Sequence, residues 1–234
     1  MTTVDRRAWQ VVLESIERDL LSGRLGPGDH LPPERTLAAD LGVGRSSVRE
    51  AVRVLEVLGL IRTQTGSGPL AGAIIVARPG GGMETLMRLQ LAAQGFPVAD
   101  VVKTRLLLEG SVVTELAGAP GRPDLSSSTQ LLDAMESREL SEAEFLALDA
   151  QFHLSLAEAS GNQVVTATMA GLRSAIEAYA RAGATGLPSW PATSVRLMNE
   201  HRAILAAIEA ADPDAARTAV QAHIAGYYAE THLA

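Results

Sequence analysis

Apolar residues recur with helical spacing in three short stretches near the start of the chain. These stretches cover residues 5–21, 34–41 and 48–58, and Gly42 ends the second of them. The second and third are separated only by a short turn that contains glycine. Three helices with this spacing predict a helix-turn-helix unit.

Two β-prone segments follow the third predicted helix. Residues 60–64 and 73–76 are rich in branched aliphatic side chains, and the turn between them, residues 65–68, contains two glycines. This pattern predicts a two-stranded wing. We therefore expect a winged helix-turn-helix domain over residues 1–76.

Residues 77–82 have the composition of a linker, and only helical patterns follow them. Glycine- and proline-containing breaks divide the remainder into six or seven predicted helices. At one of these breaks, Asp212-Pro213 is typical of a helix cap followed by proline at the first helical position. Such a series of helices joined by short connections is typical of an antiparallel bundle. The predicted fold is therefore mainly α, with an all-α bundle over residues 83–234.

The charge of the chain is unevenly distributed, which matters more for nucleic-acid binding than its formal total of -7. Residues 1–76 hold nine arginines and nine acidic residues, so the excess acid lies in the second part of the chain. Arg45, Arg49 and Arg53 recur every four residues and would form one stripe on a helix. A solvated helix face is the ordinary explanation of such a stripe, and a surface for DNA phosphates is the functional one.

No window of the sequence approaches the roughly 18 apolar residues of a membrane span, and the start of the chain has no apolar stretch of signal-peptide type. We therefore expect a cytoplasmic protein without a membrane partner. The chain has no cysteine, so a transition-metal site would have to use His, Asp or Glu.

Three histidines lie on the apolar stripes of three different predicted helices. They are His153, His201 and His223, and Asp149 lies one helical turn before His153. One inward histidine is usually a hydrogen-bonded core residue. Three inward histidines together with a carboxylate are costly to bury unless a divalent cation binds them. Three imidazole nitrogens and one carboxylate oxygen suit Zn²⁺, Ni²⁺, Mn²⁺ or Fe²⁺. Spacing alone leaves both explanations open.

Two further polar residues of the bundle have competing interpretations. Arg105 lies on an apolar stripe four residues before Glu109, so a structural ion pair between them is one explanation. A carboxylate clamp is the other, because guanidinium can bind a carboxylate through two parallel hydrogen bonds. Asn162 follows Ser-Gly and is a candidate effector-binding residue, although capping of the next helix is the favoured explanation.

The first half resembles the N-terminal domain of the GntR superfamily over roughly residues 8–76. The resemblance is carried by Leu31-Pro-Pro-Glu-Arg35, Leu41-Gly-Val-Gly-Arg-Ser-Ser-Val-Arg-Glu-Ala51 and Leu55-Glu-Val-Leu-Gly-Leu-Ile61. It implies that DNA is contacted by Arg35, Arg45, Ser46, Ser47 and Arg49, and by Gly66 at the wing tip. Two features depart from the family pattern: Gly44 replaces the usual Ser or Thr cap, and the wing is longer.

The second half resembles the FCD effector-binding domain of the FadR-like branch over roughly residues 83–230. Asp149-Ala-Gln-Phe-His153, Glu200-His201 and His223-Ile224 carry this resemblance. It implies that Asp149, His153, His201 and His223 bind a metal ion. It also implies that Arg105 binds the carboxylate of a small effector.

The expected function is therefore a transcription regulator, a repressor that binds a pseudo-palindromic double-stranded operator as a homodimer and responds to a small carboxylate. A metal-dependent enzyme acting on an organic acid is one alternative. The sequence contains no His-Glu-x-x-His pair or similar general-base motif, and an enzyme would not explain the first half. An architectural DNA-binding protein with a purely structural bundle is the other alternative.

Overall fold

The structure is a computed structural model, and it describes residues 7–64, 72–76, 81–94, 96–136 and 140–231. The chain divides into two units, Met1–Met83 and Glu84–Ala234. Within the described residues, no helix combines the length and the apolar character needed to cross a bilayer.

The N-terminal unit contains three helices and a two-stranded antiparallel sheet. The elements are α1 (Ala8–Leu21), α2 (Glu34–Leu41), α3 (Arg45–Val57), β1 (Ile61–Gln64) and β2 (Gly72–Ile75). The chain turns after α2 at Gly42, whose φ of 64° is a left-handed conformation that favours glycine. Apolar side chains from all three helices and both strands form one core, which includes Val12, Ile16, Leu37, Val48, Leu55, Ile61 and Ile75.

The wing contains the predicted strand pair and one additional pairing. Ile61 of β1 lies opposite Ile75 of β2. The segment before α2 also pairs with β2: the Leu31 amide donates to the Ala73 carbonyl at 2.8 Å, and His30 forms a bridge with Ile74. The predicted wing tip, including Gly66, lies outside the described residues.

Seven helices follow among the described residues, as the sequence predicted. They are α4 (Gly81–Gln94), α5 (Val98–Gly118), α6 (Ser126–Met135), α7 (Glu142–Ala159), α8 (Gln163–Ala184), α9 (Trp190–Glu209) and α10 (Pro213–Glu230). Of the predicted linker, residues 77–80 lie outside the described residues. Gly81 and Gly82 belong to the first turn of α4 instead of a linker.

Local sequence signals set the starts of the long bundle helices. Ser141 and Glu144 form a reciprocal capping box at the start of α7. Asp212 caps α10 and is followed by Pro213 at the first helical position, as the Asp-Pro pair predicted. Helix α5 packs along α10, α9 packs against α10, and α7 packs against α8. These contacts bring the inward faces of α5, α7, α9 and α10 together in the core.

Candidate functional site

Four ionisable side chains from three helices meet in the core of the C-terminal unit. Asp149 and His153 lie on α7, His201 on α9 and His223 on α10. Each offers one potential ligand atom, and these atoms all lie within 4.8 Å of one another. All four side chains are buried, and His201 has no exposed surface. The structure thus brings together all four residues that the sequence singled out as metal ligands.

The nitrogen atoms that face the centre of this cluster are close enough to share one ion. His153 Nε2 lies 3.0 Å from His223 Nε2, and His201 Nε2 lies 3.0 Å from Asp149 Oδ1. The same Asp149 carboxylate lies 3.9 Å from His223 Nε2 and 4.0 Å from His153 Nε2. This arrangement offers three ring nitrogens and one carboxylate to a common point.

Two further carboxylates approach the outer nitrogens of the cluster. Glu109 Oε2 lies 2.6 Å from His153 Nδ1, and Glu200 Oε2 lies 2.9 Å from His223 Nδ1. A carboxylate beside Nδ1 favours the tautomer with the ring proton on that atom, which leaves the inner Nε2 with a lone pair. At 3.0 Å the two Nε2 atoms can share one ring proton as a hydrogen bond, and when both rings carry their proton on Nδ1 the two lone pairs face each other and a cation can bridge them. The cluster therefore fits a metal ion.

Both outer carboxylates are themselves held by arginines. Arg105 Nε donates to Glu109 Oε1 at 2.6 Å, and Arg196 Nη1 donates to Glu200 Oε1 at 2.6 Å. Arg196 also contacts Glu230. The sequence predicted the Arg105–Glu109 pair from its spacing of four residues. It gave no role to Glu200 as a partner of His223, and it did not connect Glu109 with His153, because these contacts join different helices.

The electrostatics of the cluster favour the protonation states that bind metal. Burial opposes ionisation of Glu109, yet Arg105 and His153 lower the pKa of its carboxyl to about 2. Burial likewise opposes ionisation of Asp149, but the three imidazoles hold its pKa below the ordinary range. Burial and the neighbouring His201 lower the pKa of His223 to about 4. At neutral pH, His223 is therefore a neutral ring beside two anionic carboxylates.

The two residues predicted to bind an effector occupy different environments. Arg105 is buried, and its Nη2 is without a hydrogen-bond partner among the described residues. With Asp149, His223 and Tyr228 it lines a cavity of about 10 Å³, which has room for a single water molecule. Asn162 is exposed, accepts a hydrogen bond from the Val165 amide at 3.2 Å as the cap of α8, and does not line this cavity. The capping explanation of Asn162 is thus confirmed.

The predicted DNA-contact residues lie at the start of α3 and on α2. Arg45, Ser46 and Arg49 are exposed on α3, Ser47 is half-buried, and Arg35 is exposed on α2. Gly44 caps α3 without a side-chain hydrogen bond. The Ser47 amide donates to the Gly44 carbonyl at 3.0 Å, and no side chain of Gly44 competes for the amides of Arg45 and Ser46, which can therefore meet an external anion.

One contact on this surface was not predicted from the sequence. Arg49 Nε lies 2.8 Å from Glu34 Oε2, and 60% and 43% of these side chains are exposed. Arg49 also borders a shallow groove with Ser46, Glu50 and Arg53, which continues the arginine stripe. A DNA phosphate at Arg49 would therefore have to compete with Glu34.

Comparison with known proteins shows that both parts of the chain match models of one family of regulators. Residues 9–70 match the model of bacterial regulatory proteins of the gntR family, and residues 100–226 match the FCD domain. The chain belongs to the GntR family. It is 31% identical to the Glc operon transcriptional activator of Escherichia coli K12, over 92% of this chain and 85% of that protein. It is 33% identical to the HTH-type transcriptional repressor NanR of Klebsiella aerogenes, over 92% of this chain and 82% of that protein.

A solved structure also has a fold similar to that of this chain. The Streptococcus agalactiae GntR structure superimposes with a TM-score of 0.61 at 26% sequence identity, covering 94% of this chain and 98% of that one. This GntR-family chain is therefore a DNA-binding transcription regulator with an FCD domain. Because regulators of the family are not enzymes, the alternative of a metal-dependent enzyme is not supported.

Proposed function

We propose that this GntR-family regulator holds a divalent metal ion at Asp149, His153, His201 and His223 and that a small carboxylate bound there controls its affinity for DNA. The observation that carries the proposal is the pair of His153 and His223 Nε2 atoms 3.0 Å apart, each with a carboxylate at its outer nitrogen. Neutral imidazoles held in this way by carboxylates are the usual environment of metal-binding histidines.

The donor set suits several ions. Three imidazoles and one carboxylate satisfy Zn²⁺, and they leave open positions on an octahedral Ni²⁺, Mn²⁺ or Fe²⁺. The ion would supply a Lewis-acidic position for a carboxylate oxygen of the effector. Arg105 would bind the same effector, because its Nη2 lacks a partner among the described residues and it lines the cavity shared with Asp149 and His223. Asn162 has less support in this role, since it caps α8.

The DNA-binding half would read an operator through the start of α3. Arg45 and Arg49 can donate to guanine or to phosphate, while Ser46 and Ser47 suit phosphate oxygens. Arg35 on α2 and Gly66 in the wing would add contacts to the backbone and the minor groove. One recognition helix covers only a few base pairs, so we expect a homodimer on a pseudo-palindromic operator.

We propose that the protein represses its target genes and that the bound effector releases it from DNA. The chain is 33% identical to the NanR repressor and 31% identical to the Glc operon activator, so the sign of regulation is decided by experiment and not by these identities. The effector can act only through different affinities for the DNA-binding and non-binding states of the dimer. Gel shifts with and without the effector test the sign: tighter operator binding in the presence of the effector would contradict it.

Metal analysis tests the central claim. The full chain, stripped with a chelator and re-equilibrated with Zn²⁺, Ni²⁺ or Mn²⁺, should retain one ion per chain and unfold at a higher temperature. His201→Ala should lose both properties, whereas His30→Ala, a histidine of the other unit, should keep them. A wild-type chain that retains no ion and gains no thermal stability would refute the metal site.

A further inference from the structure

The seam between α9 and α10 carries polar side chains on the facing sides of both helices. Thr193, Arg196 and Glu200 follow one another at intervals of three and four residues on α9, and His223 and Glu230 lie seven residues apart on α10. Residues at these intervals lie on one side of a helix, and α9 packs against α10. Of these five residues, His223 alone belongs to the candidate metal cluster. The seam therefore runs from the cluster to the start of α9 and the end of α10.

The five side chains form one continuous series of contacts. His223 Nδ1 lies 2.9 Å from Glu200 Oε2, and Arg196 Nη1 donates to the other oxygen of that carboxylate, Oε1, at 2.6 Å. Arg196 Nη2 contacts Glu230, and the Thr193 hydroxyl donates to Glu230 Oε1 at 2.9 Å. Thr193 and His223 are each 3% exposed. The series is therefore anchored by a buried hydroxyl at one end and by a buried ring at the other.

The two carboxylates beside the cluster differ in burial. The side chains of Glu109 and Arg105 are 5% and 4% exposed, so the surrounding packing restricts their rotation. The side chains of Glu200 and Arg196 are 27% and 35% exposed. A partly exposed carboxylate can exchange its contact with a ring N–H for contacts with water unless a second group holds it. Arg196 is the group that holds Glu200.

An ordinary surface ion pair is the simpler explanation of the contact between Arg196 and Glu200, since the two residues lie four positions apart on α9. Such pairs contribute little to stability. Two features favour a role in positioning. Arg196 bridges two carboxylates that belong to different helices, and the Glu200 oxygen that it leaves free is the one that meets His223.

We propose that Arg196 is a positioning residue: it holds Glu200 against His223 and thereby favours the ring tautomer whose Nε2 faces the cluster with a lone pair. Glu230 and Thr193 hold Arg196 in turn. The inference rests on the proposed function where it concerns the ion, because the Nε2 lone pair has a ligand to bind only if a cation enters the cluster. It goes beyond that function by making metal affinity depend on side chains outside the cluster and its two outer carboxylates.

The first test follows the His223 ring by NMR in the metal-free full chain. The chain has five histidines, so ¹⁵N-labelled histidine gives few signals, and the spectrum of His223→Gln identifies this ring. Wild type should carry the ring proton on Nδ1. Arg196→Gln should give a mixture of the two tautomers, because Glu200 is then free to turn toward water. Arg202→Gln is the matched control: it removes the same charge from the same helix, at an exposed arginine that pairs with Glu136, and should keep the wild-type ring.

The second test measures Zn²⁺ affinity by competition with a chromophoric chelator. Loss of a positive charge near a cation strengthens its binding by Coulomb's law, whereas loss of positioning weakens it, so the two effects have opposite signs. Arg196→Gln should weaken Zn²⁺ binding by about tenfold, and Arg202→Gln should match wild type. The double variant Arg196→Gln/Glu200→Gln should bind Zn²⁺ as Glu200→Gln does, because Arg196 acts through Glu200.

These measurements separate the inference from the proposed function. An Arg196→Gln chain with the wild-type ring spectrum, or with wild-type Zn²⁺ affinity, would overturn the inference while the metal site stands. Additive losses of affinity in the double variant would also overturn it, because Arg196 would then act through the packing of the bundle. A wild-type chain that binds no Zn²⁺ would refute the proposed function, and the ring spectrum of Arg196→Gln would then decide the inference alone.

Discussion

Replacement of Glu109 by Gln tests the cluster most severely, since Glu109 contacts both Arg105 and a proposed metal ligand. The substitution keeps the shape of the side chain and removes its charge, which leaves Arg105 buried without its ion-pair partner. The pKa of Glu109 is lowered from 4.5 to about 2 because Arg105 and His153 together outweigh the cost of burial. That difference corresponds to about 3 kcal/mol of the free energy of unfolding, similar to the cost of breaking a buried ion pair.

The lowered pKa of Glu109 also determines how its stabilisation of the folded chain depends on pH. Because the folded-state pKa is lowered, the stabilisation by Glu109 is fully present above about pH 4.5 and is lost as the pH falls toward 2. Glu109→Gln should therefore lower the free energy of unfolding of the metal-free chain by about 3 kcal/mol at neutral pH. The loss should shrink as the pH falls below 4.5.

Urea unfolding of the chelator-treated chain measures this loss, and competition with a chromophoric chelator measures metal affinity. Affinity should fall by about 10- to 100-fold in Glu109→Gln, because the carboxylate that orients His153 is gone. Glu115→Gln, an exposed carboxylate on the same helix, is the control and should match wild type in both assays. If the two variants behave alike, Glu109 neither stabilises the bundle nor orients a ligand.

Three further outcomes follow from the described contacts. Glu200→Gln should weaken metal binding by about tenfold in the chelator competition with little loss of stability, since Glu200 is half-exposed; wild-type affinity would contradict this. Glu34→Gln should release Arg49, tighten DNA binding several-fold and steepen its salt dependence by about one ion, while Asp40→Asn should not. Because burial and His201 lower the pKa of His223 to about 4, an NMR titration of the metal-free protein should find this ring neutral until the pH approaches that value. A midpoint near 6.5, the ordinary value of histidine, would show that the ring is not buried in the metal-free protein.

Periodicity was sufficient to find the four candidate ligands because each lies on the inward stripe of its own helix. An apolar face must pack against the core, so an ionisable residue on that face meets others from neighbouring helices. The contacts of Glu109 with His153 and of Glu200 with His223 could not be found in this way. They depend on how α5, α7, α9 and α10 are rotated against one another, which no spacing within one helix records.

Short-range signals were reliable where the interaction itself is short-range. The Asp212-Pro213 start of α10 and the Asn162 cap of α8 depend on residues within one turn, and both were predicted. The pairing of residues around His30 with β2 was missed because its partner lies more than forty positions away. Arg105 was ambiguous for a related reason: its ion pair with Glu109 is local, whereas its Nη2, which has no partner among the described residues, meets a cavity lined by five helices.

The charges of the buried cluster explain how a metal and a carboxylate could be bound together. Asp149, Glu109 and Arg105 give the buried group a net charge of -1 when the three imidazoles are neutral. A divalent ion changes this to about +1, and a monocarboxylate then restores neutrality in a site with almost no water. Each ligand therefore lowers the electrostatic cost of the other, which is the reciprocal coupling that a sensor requires. A polyanionic ligand would leave an uncompensated buried charge, so the charge of the site favours an effector with a single carboxylate.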